Sequence, residues 1–325
     1  MRSIVNLSRF VLLVGCSYML LCGAAAAQHE SDPFNSTLAD MERESTHKGP
    51  PQYVVVDLPE KKILSYYPEL KGLVAAQSQQ ELPNLLQRVG ANESQFLNTV
   101  PTVSAHENVV QEQLDKHGFV HGLPMFTGQD NYIVRAHVTG EGTRFSEGRA
   151  DENWRSIDPN IDSGYSLAKG FALLPIYFHP FHQGAANFRY LGRQVQDGRE
   201  CYVIAFAQQP EKTELLGTVR VNGSDIVVAH QGVAWIDPDS FQIVRVRVDL
   251  LKARPEAGTE TTETRFSEVR LPVVAKSFWL PTDAVVTRSA KDGSLREKHQ
   301  FSDYRIFVQS KGDVTTTQSD AQKPK

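Results

Sequence analysis

The chain is poor in the features that announce a function most directly. Only three of its 325 residues are cysteine, and two of them, Cys16 and Cys22, fall in an apolar leader. The remaining one, Cys201, has no partner to form an internal disulfide with, even in a compartment that permits one. Beyond the leader, no apolar run approaches the roughly 20 residues a membrane-spanning helix needs. Charge of neither sign accumulates: 34 Lys and Arg stand against 38 Asp and Glu, a net charge of −4. No basic stripe is present that would neutralise nucleic-acid phosphates. There is also no G-x-S-x-G elbow, no H-E-x-x-H, no G-x-x-x-x-G-K-[ST] and no dinucleotide G-x-G-x-x-G after a strand. The expectation is a protein without catalytic residues, without a cofactor and without a metal.

What is present begins with an address. Residues 1–27 have the anatomy of a secretory signal peptide: a basic start with Arg2 and Arg9, an apolar stretch over 10–21, and an alanine-rich exit cut after Ala27. Removing them leaves 298 residues, takes the net charge from −4 to −6 and leaves one cysteine. Leu13-Val14-Gly15-Cys16 also fits a bacterial lipobox. The apolar run continues past Cys16, however, where a lipidated chain turns polar, so simple secretion, to the periplasm, is favoured over lipid anchoring at Cys16.

The rest divides by pattern. Residues 28–50, polar and broken by Gly49-Pro50-Pro51, and the Thr/Gln/Lys tail 311–325 show no period and are expected to be disordered. Residues 51–310 are expected to form a single α+β domain, helical over about 51–100 and a β meander over about 101–310. In the helical part, Leu82, Leu85, Leu86 and Val89 repeat at i, i+3, i+4, i+7, the stripe of an amphipathic helix. Pro83 suits its first turn. Gly90 interrupts the stripe, and Asn92-Glu93-Ser94-Gln95 reads as a cap restarting it. Residues 53–73 carry no assignable period. After Pro101 the period becomes two, most clearly at Val244, Val246, Val248 and Leu250. Asp197-Gly198, Asn222-Gly223, Asp237-Pro238-Asp239-Ser240 and Asp292-Gly293 mark four hairpins, which predicts an antiparallel sheet with no βαβ unit.

Two segments depart from the meander. Residues 201–207, CYVIAFA, are apolar on both faces, so they form either a central strand or the floor of an apolar pocket on Ala205 and Ala207. Residues 166–181, with Ser166 as a cap and Pro175 ending the helix, are either core helix or a lid over a cavity. At its end, His179 and His182 sit three apart with Pro180 between them. Zinc needs three or four converging ligands, so the pair reads as a turn leaving the apolar segment. Cys201, in an apolar strand, reads as an inert buried thiol.

The segment Gly232-Val-Ala-Trp-Ile-Asp-Pro-Asp-Ser-Phe-Gln-Ile-Val-Arg245 resembles the W-I-D hairpin of the outer-membrane lipoprotein-sorting superfamily, which includes the carriers LolA and LolB and the sensor RseB. Phe278-Trp279-Leu280-Pro281 and Phe301-Ser302-Asp303-Tyr304-Arg305 resemble its closing strands. The whole chain looks like an uncharacterised group of secreted bacterial proteins with this ending. The likeness covers about residues 80–308. It implies a curled antiparallel sheet, a half-open β-barrel, with helices on the concave side around an apolar cavity that in this superfamily holds acyl chains. The charged insert 140–164, with Trp154, departs from the carriers. The resulting expectation is a non-enzymatic envelope protein that binds a lipid or lipoprotein acyl group, with Phe171, Leu174, Tyr177, Phe178, Val203, Ala205 and Trp235 lining the cavity. A protein-interaction or structural module of the envelope is the first alternative. A hydrolase with acids dispersed in loops is the second.

Overall fold

The computed structural model describes residues 53–307 except 116, 140–141, 158–167, 169, 222–223, 254–257, 272–273, 275 and 291–292. The leader with its lipobox, the lead-in, the tail and the start of the 166–181 segment lie outside the described residues.

The helices are α1 (Glu60–Tyr66), α2 (Leu82–Thr99) and α3 (Pro180–Gln183), with short 3-10 turns at Val55–Asp57, Pro68–Leu70 and Leu174–Phe178. None of the described helices is long and apolar enough to cross a membrane. The strands are β1 (Val74–Ala75), β2 (Val103–Leu114), β3 (Phe126–Thr139), β4 (Gly142–Ala150), β5 (Ser156–Ile157), β6 (Ala186–Gln196) and β7 (Arg199–Gln208). They continue with β8 (Gly217–Val221), β9 (Ser224–Val228), β10 (His230–Ile236), β11 (Ile243–Leu250), β12 (Thr259–Arg270), β13 (Ser277–Ala290) and β14 (Gly293–Ile306).

Twelve of these form one antiparallel sheet in the order β1-β6-β7-β10-β11-β12-β13-β14-β2-β3-β4-β5, and β8 with β9 form a separate hairpin. The sheet does not close on itself; β1 and β5 are its edges. Strands pair as the turn residues require. Asp197 and Gly198 both take positive φ, 48° and 82°, the left-handed pair that joins β6 to β7 tightly. Between β10 and β11 the register shifts at Trp235/Ile236, where Trp235 pairs with Arg245 and Ile236 with Ile243. That bulge breaks the expected alternation. Ile243 joins the cluster of Val246 and Val248, while Val244 turns to the opposite cluster.

Period-two alternation sorts the core into two faces. From β7 and β10, Ile204, Phe206, Ala234 and Ile236 point to one side, where they meet Leu85 and Val89 of α2 and Leu174, Tyr177 and Phe178. Along the same side, Leu97 of α2, Phe171, Leu173 and Ile176 meet Val103, Ala105, Tyr132, Leu280, Val286 and Phe301. Val203, Ala205, Val233 and Trp235 point the other way, against Val55, Leu58, Ile63, Tyr67 and Leu70. Helical elements therefore cover both faces of the sheet, α2 and α3 one of them and α1 the other.

Two local expectations are corrected. Helix α2 runs unbroken through Gly90, and Glu93 is buried in its core-facing row rather than capping a restart. A Cβ at residue 90 would lie 2.6 Å from Gln183 Nε2 and 2.9 Å from the Phe178 carbonyl oxygen, so glycine there permits close packing and does not end the helix. Pro175 does not end a helix either. It opens the 3-10 turn Leu174–Phe178, after a non-helical stretch over 170–173.

Candidate functional site: an apolar strap and its buried latch

Residues 170–178 form a strap laid along the sheet beneath α2. Phe171, Leu174, Tyr177 and Phe178 are all buried, as are Val203, Ala205 and Trp235. The structure does not bring the seven together. Leu174, Tyr177 and Phe178 share one cluster, Phe171 belongs to its neighbour on the same face, and Val203, Ala205 and Trp235 lie on the opposite face. The strand 201–207 is thus a central one that fills both cores. Alternation separates these residues: 203 and 205 cannot share a face with 204 and 206.

The strap is fixed by buried charged groups of the sheet. The Glu147 carboxylate accepts from three successive backbone N–H groups, Gly170 at 2.8 Å, Phe171 at 3.0 Å and Ala172 at 3.0 Å, and from the Tyr132 hydroxyl. Burial raises its pKa, while these four donors pull it the other way. Next to it, Glu107 takes a two-point grip from Arg149, at 2.6 and 2.7 Å, and meets His299 Nδ1 at 2.8 Å. Arg149 also donates to the Ala168 carbonyl at 2.8 Å, and Glu297 accepts from the Ala168 N–H at 2.8 Å. Glu297 is held in turn by Arg288 at 2.5 Å. Burial pushes Glu107 and Glu297 up, but the adjacent Arg149, Arg288 and His299 outweigh it and hold both carboxyls at about 2. Burial pushes His299 down, and its contacts with Glu107 and Glu297 more than restore it. The His299 ring lies 4.8 Å from that of Phe171.

This network was readable in principle. Val103, Ala105, Glu107 and Val109 share one side of β2, and Leu295, Glu297, His299 and Phe301 one side of β14. A carboxylate in an apolar row is the signal. Chemically the groups are spent on one another and on the strap. Glu107 and His299 have no exposed side-chain surface, so in this conformation they meet no substrate.

The other singled-out residues have structural roles. His179 Nδ1 accepts from the Phe181 N–H at the start of α3, and the His179 and His182 rings lie 5.8 Å apart. Burial lowers His182 to about 4. No group of three or more His, Cys, Asp or Glu among the described residues is placed to hold a metal ion. Cys201 is buried, which raises its thiol to about 11. Among the described residues, clefts open elsewhere: about 200 Å³ beside Tyr53 and Asp249, about 530 Å³ beside Arg199 and Arg265, and about 520 Å³ beside His106 and Trp154. None of the seven expected cavity residues lines any of them.

Among solved structures, the chain is similar to a DUF1329 family protein from Desulfovibrio piger, at 11% identity and a TM-score of 0.38 over 70% of this chain and 93% of that one. It is also similar to a domain assigned to outer-membrane lipoprotein sorting from Vibrio parahaemolyticus, at 12% identity and a TM-score of 0.34 over 68% and 91%. A third is the lipoprotein LppX of Mycobacterium tuberculosis, at 13% identity and a TM-score of 0.24 over 68% and 96%. With TM-scores below 0.5, these three likenesses carry no argument about this chain. No protein-family model and no curated protein matches the chain.

Proposed function

We propose that the protein is a non-catalytic binding protein of the bacterial envelope, secreted to the periplasm, which takes a lipid or lipoprotein acyl chain on the sheet face that the strap occupies. The observation that carries this reading is the strap itself. It is a run of apolar side chains with little regular structure, laid on an apolar sheet face, and pinned at one end by hydrogen bonds to buried carboxylates. An acyl chain matches the chemistry of the surface it covers. Phe171, Leu174, Tyr177 and Phe178 leave that face when the strap lifts, and Ile204, Phe206, Ala234 and Val246 become the floor. Val203, Ala205 and Trp235 take no part. The dense packing of the strap favours a second reading, an interaction module whose strap stays down and whose outer surfaces meet a partner.

Binding that requires the strap to lift is weakened by the cost of lifting it. Glu147→Gln removes the carboxylate charge and with it about 1.5–3 kcal/mol for the charge-assisted bonds. The expected outcome is saturable binding of a fluorescent fatty acid, at least several-fold tighter in E147Q than in the parent protein. Absence of saturable binding in both proteins overturns the acyl reading and leaves the interaction module.

A further inference from the structure

The connection between β2 and β3 leaves large apolar side chains in water. Phe119 is 71% exposed, Val120 47% and Leu123 88%. They are three of the eight large apolar residues exposed among the described residues, and they fall within five positions of one another. One exposed apolar side chain is ordinary, but a group of them marks a surface that something meets. The loop is also held in shape. Leu114 bridges Val120. The Asp115 N–H donates to the Phe119 carbonyl at 2.8 Å, the His121 N–H to the Gln113 carbonyl at 2.8 Å and the Met125 N–H to the Gln111 carbonyl at 2.9 Å. Gly118 and Gly122 make its reversals at φ of 83° and 77°, values open to glycine. Met125 packs on Leu295 at the base.

Size and charge narrow what meets it. A stable protein interface takes roughly 20–30 residues from each side, and three side chains on one loop fall far short of that. A bilayer needs no matching surface. It needs apolar side chains free to leave water and a backbone whose polar groups are engaged. Residues 116–129 contain no Asp or Glu, and they include Lys116, His117 and His121. The two carboxylates at the base are occupied. Asp115 Oδ1 accepts from the His117 and Phe119 N–H groups at 2.8 and 3.0 Å. Glu112 accepts from Arg296 at 2.7 Å and from Lys298 at 3.0 Å. Lys116, Arg296 and Lys298 thus stand against Glu112 and Asp115, an excess of cations in a chain that is acidic as a whole. That excess complements an anionic lipid surface.

We propose that the β2–β3 loop seats the protein on an anionic phospholipid bilayer, with Phe119, Val120 and Leu123 entering the acyl boundary and the basic residues at the base meeting headgroups. The loop shares no residue with the strap, so the inference stands whether or not the strap lifts.

The test is flotation of the protein, recovered after export and so without its leader, with vesicles of phosphatidylcholine and phosphatidylglycerol. The parent is expected to float with the vesicles, and the double variant F119S/L123S to bind about tenfold or more weakly, as loss of two apolar side chains from the bilayer requires. Both side chains are exposed, so the variant has no packing to lose. Val195→Ser removes another exposed apolar side chain, on β6 at 64%, and is expected to float as the parent does. Vesicles of phosphatidylcholine alone are expected to recover several-fold less. The variant L123W reports the position of the loop: its added emission is expected to shift to the blue on vesicles and to be quenched by lipids brominated on their acyl chains. The proposal is overturned if the parent does not float, if F119S/L123S floats equally well, or if V195S loses as much. It is also overturned if phosphatidylcholine alone recovers as much, or if brominated lipid leaves the L123W emission unquenched.

Discussion

Glu93 occupies the same row of α2 as Leu85, Val89 and Leu97, four residues apart at each step, and is buried with them. Burial alone raises its carboxyl to about 8. In the unfolded chain the group loses its proton near its ordinary 4.5, whereas the folded chain keeps it until about 8. The folded state therefore binds more protons across that window, and stability falls as pH rises through it. Glu93→Gln is expected to flatten this slope and to be the more stable protein at pH 8, which urea midpoints measured from pH 4 to 9 would show. A parental midpoint that does not fall between pH 5 and 8 would refute the assignment. Glu107 and Glu297 behave with the opposite sign. Their folded carboxyls lie near 2, against an ordinary 4.5, so the stability they contribute is complete above about 4.5 and is lost as pH falls toward 2. Glu107→Gln leaves Arg149 and His299 buried without their carboxylate and is expected to cost about 3–5 kcal/mol at pH 7. It should also shrink the acid-side loss. An urea midpoint at pH 7 equal to the parent's would mean that the latch is not formed.

At the scale of elements, the ordering of hydrogen-bonding strands was legible because turn chemistry is local. Asp-Gly and Asn-Gly pairs take left-handed backbone cheaply, and these three signals, like Asp237-Pro238-Asp239-Ser240, each fall between strands that pair, although residues 222–223 and 292 themselves lie outside the described residues. The helix was legible for the same reason, its stripe being a property of 3.6-residue geometry. What failed were inferences that needed a neighbour distant in sequence. Gly90 looks like a breaker until Phe178 and Gln183, about 90 residues on, are placed against it. Residues 170–178 look like a helix by their apolar density, yet the N–H groups of Gly170, Phe171 and Ala172 bond to Glu147, and only Leu174–Phe178 winds into a short 3-10 turn. The seven expected cavity residues have apolarity in common, and apolarity alone does not say which face of a strand a residue is on. Gly90 supplies the test at this scale. Alanine is the better helix former by about 1 kcal/mol. The added methyl would meet the Gln183 amide, which is itself bonded to the Leu86 and Phe178 carbonyls at 2.9 and 2.6 Å. Crowding a packed site costs about 1–3 kcal/mol, so Gly90→Ala is expected to be net destabilising in urea. A stabilised G90A would show that α2 and the strap do not press together there.

At the scale of the molecule, the sheet has apolar side chains on both faces through its β6-β7-β10-β11 part, which is why strand 201–207 shows no alternation. A sheet of that kind must be covered twice. One cover is α2 with the strap; the other is the segment 53–70, which had no readable period because its contacts come from short 3-10 turns and one two-turn helix. Its attachment is specific. Val55 N–H donates to Gln231 Oε1 at 2.7 Å, and Gln194, whose Oε1 receives the Trp235 indole N–H at 2.7 Å, donates to the Glu69 carbonyl at 2.7 Å. Tyr67 lies fully buried beneath Arg247. Removing this cover would expose Leu191, Val203, Ala205, Val233 and Trp235 side by side, an apolar patch of the size that drives association. A chain beginning at Leu73 is therefore expected to self-associate in sedimentation experiments at micromolar concentration. Its tryptophan emission should shift to the red, because Trp235, one of three tryptophans and fully buried in the whole chain, would then lie at the surface. A truncated chain that stayed monomeric with unshifted emission would mean that the second face is closed by something other than residues 53–70.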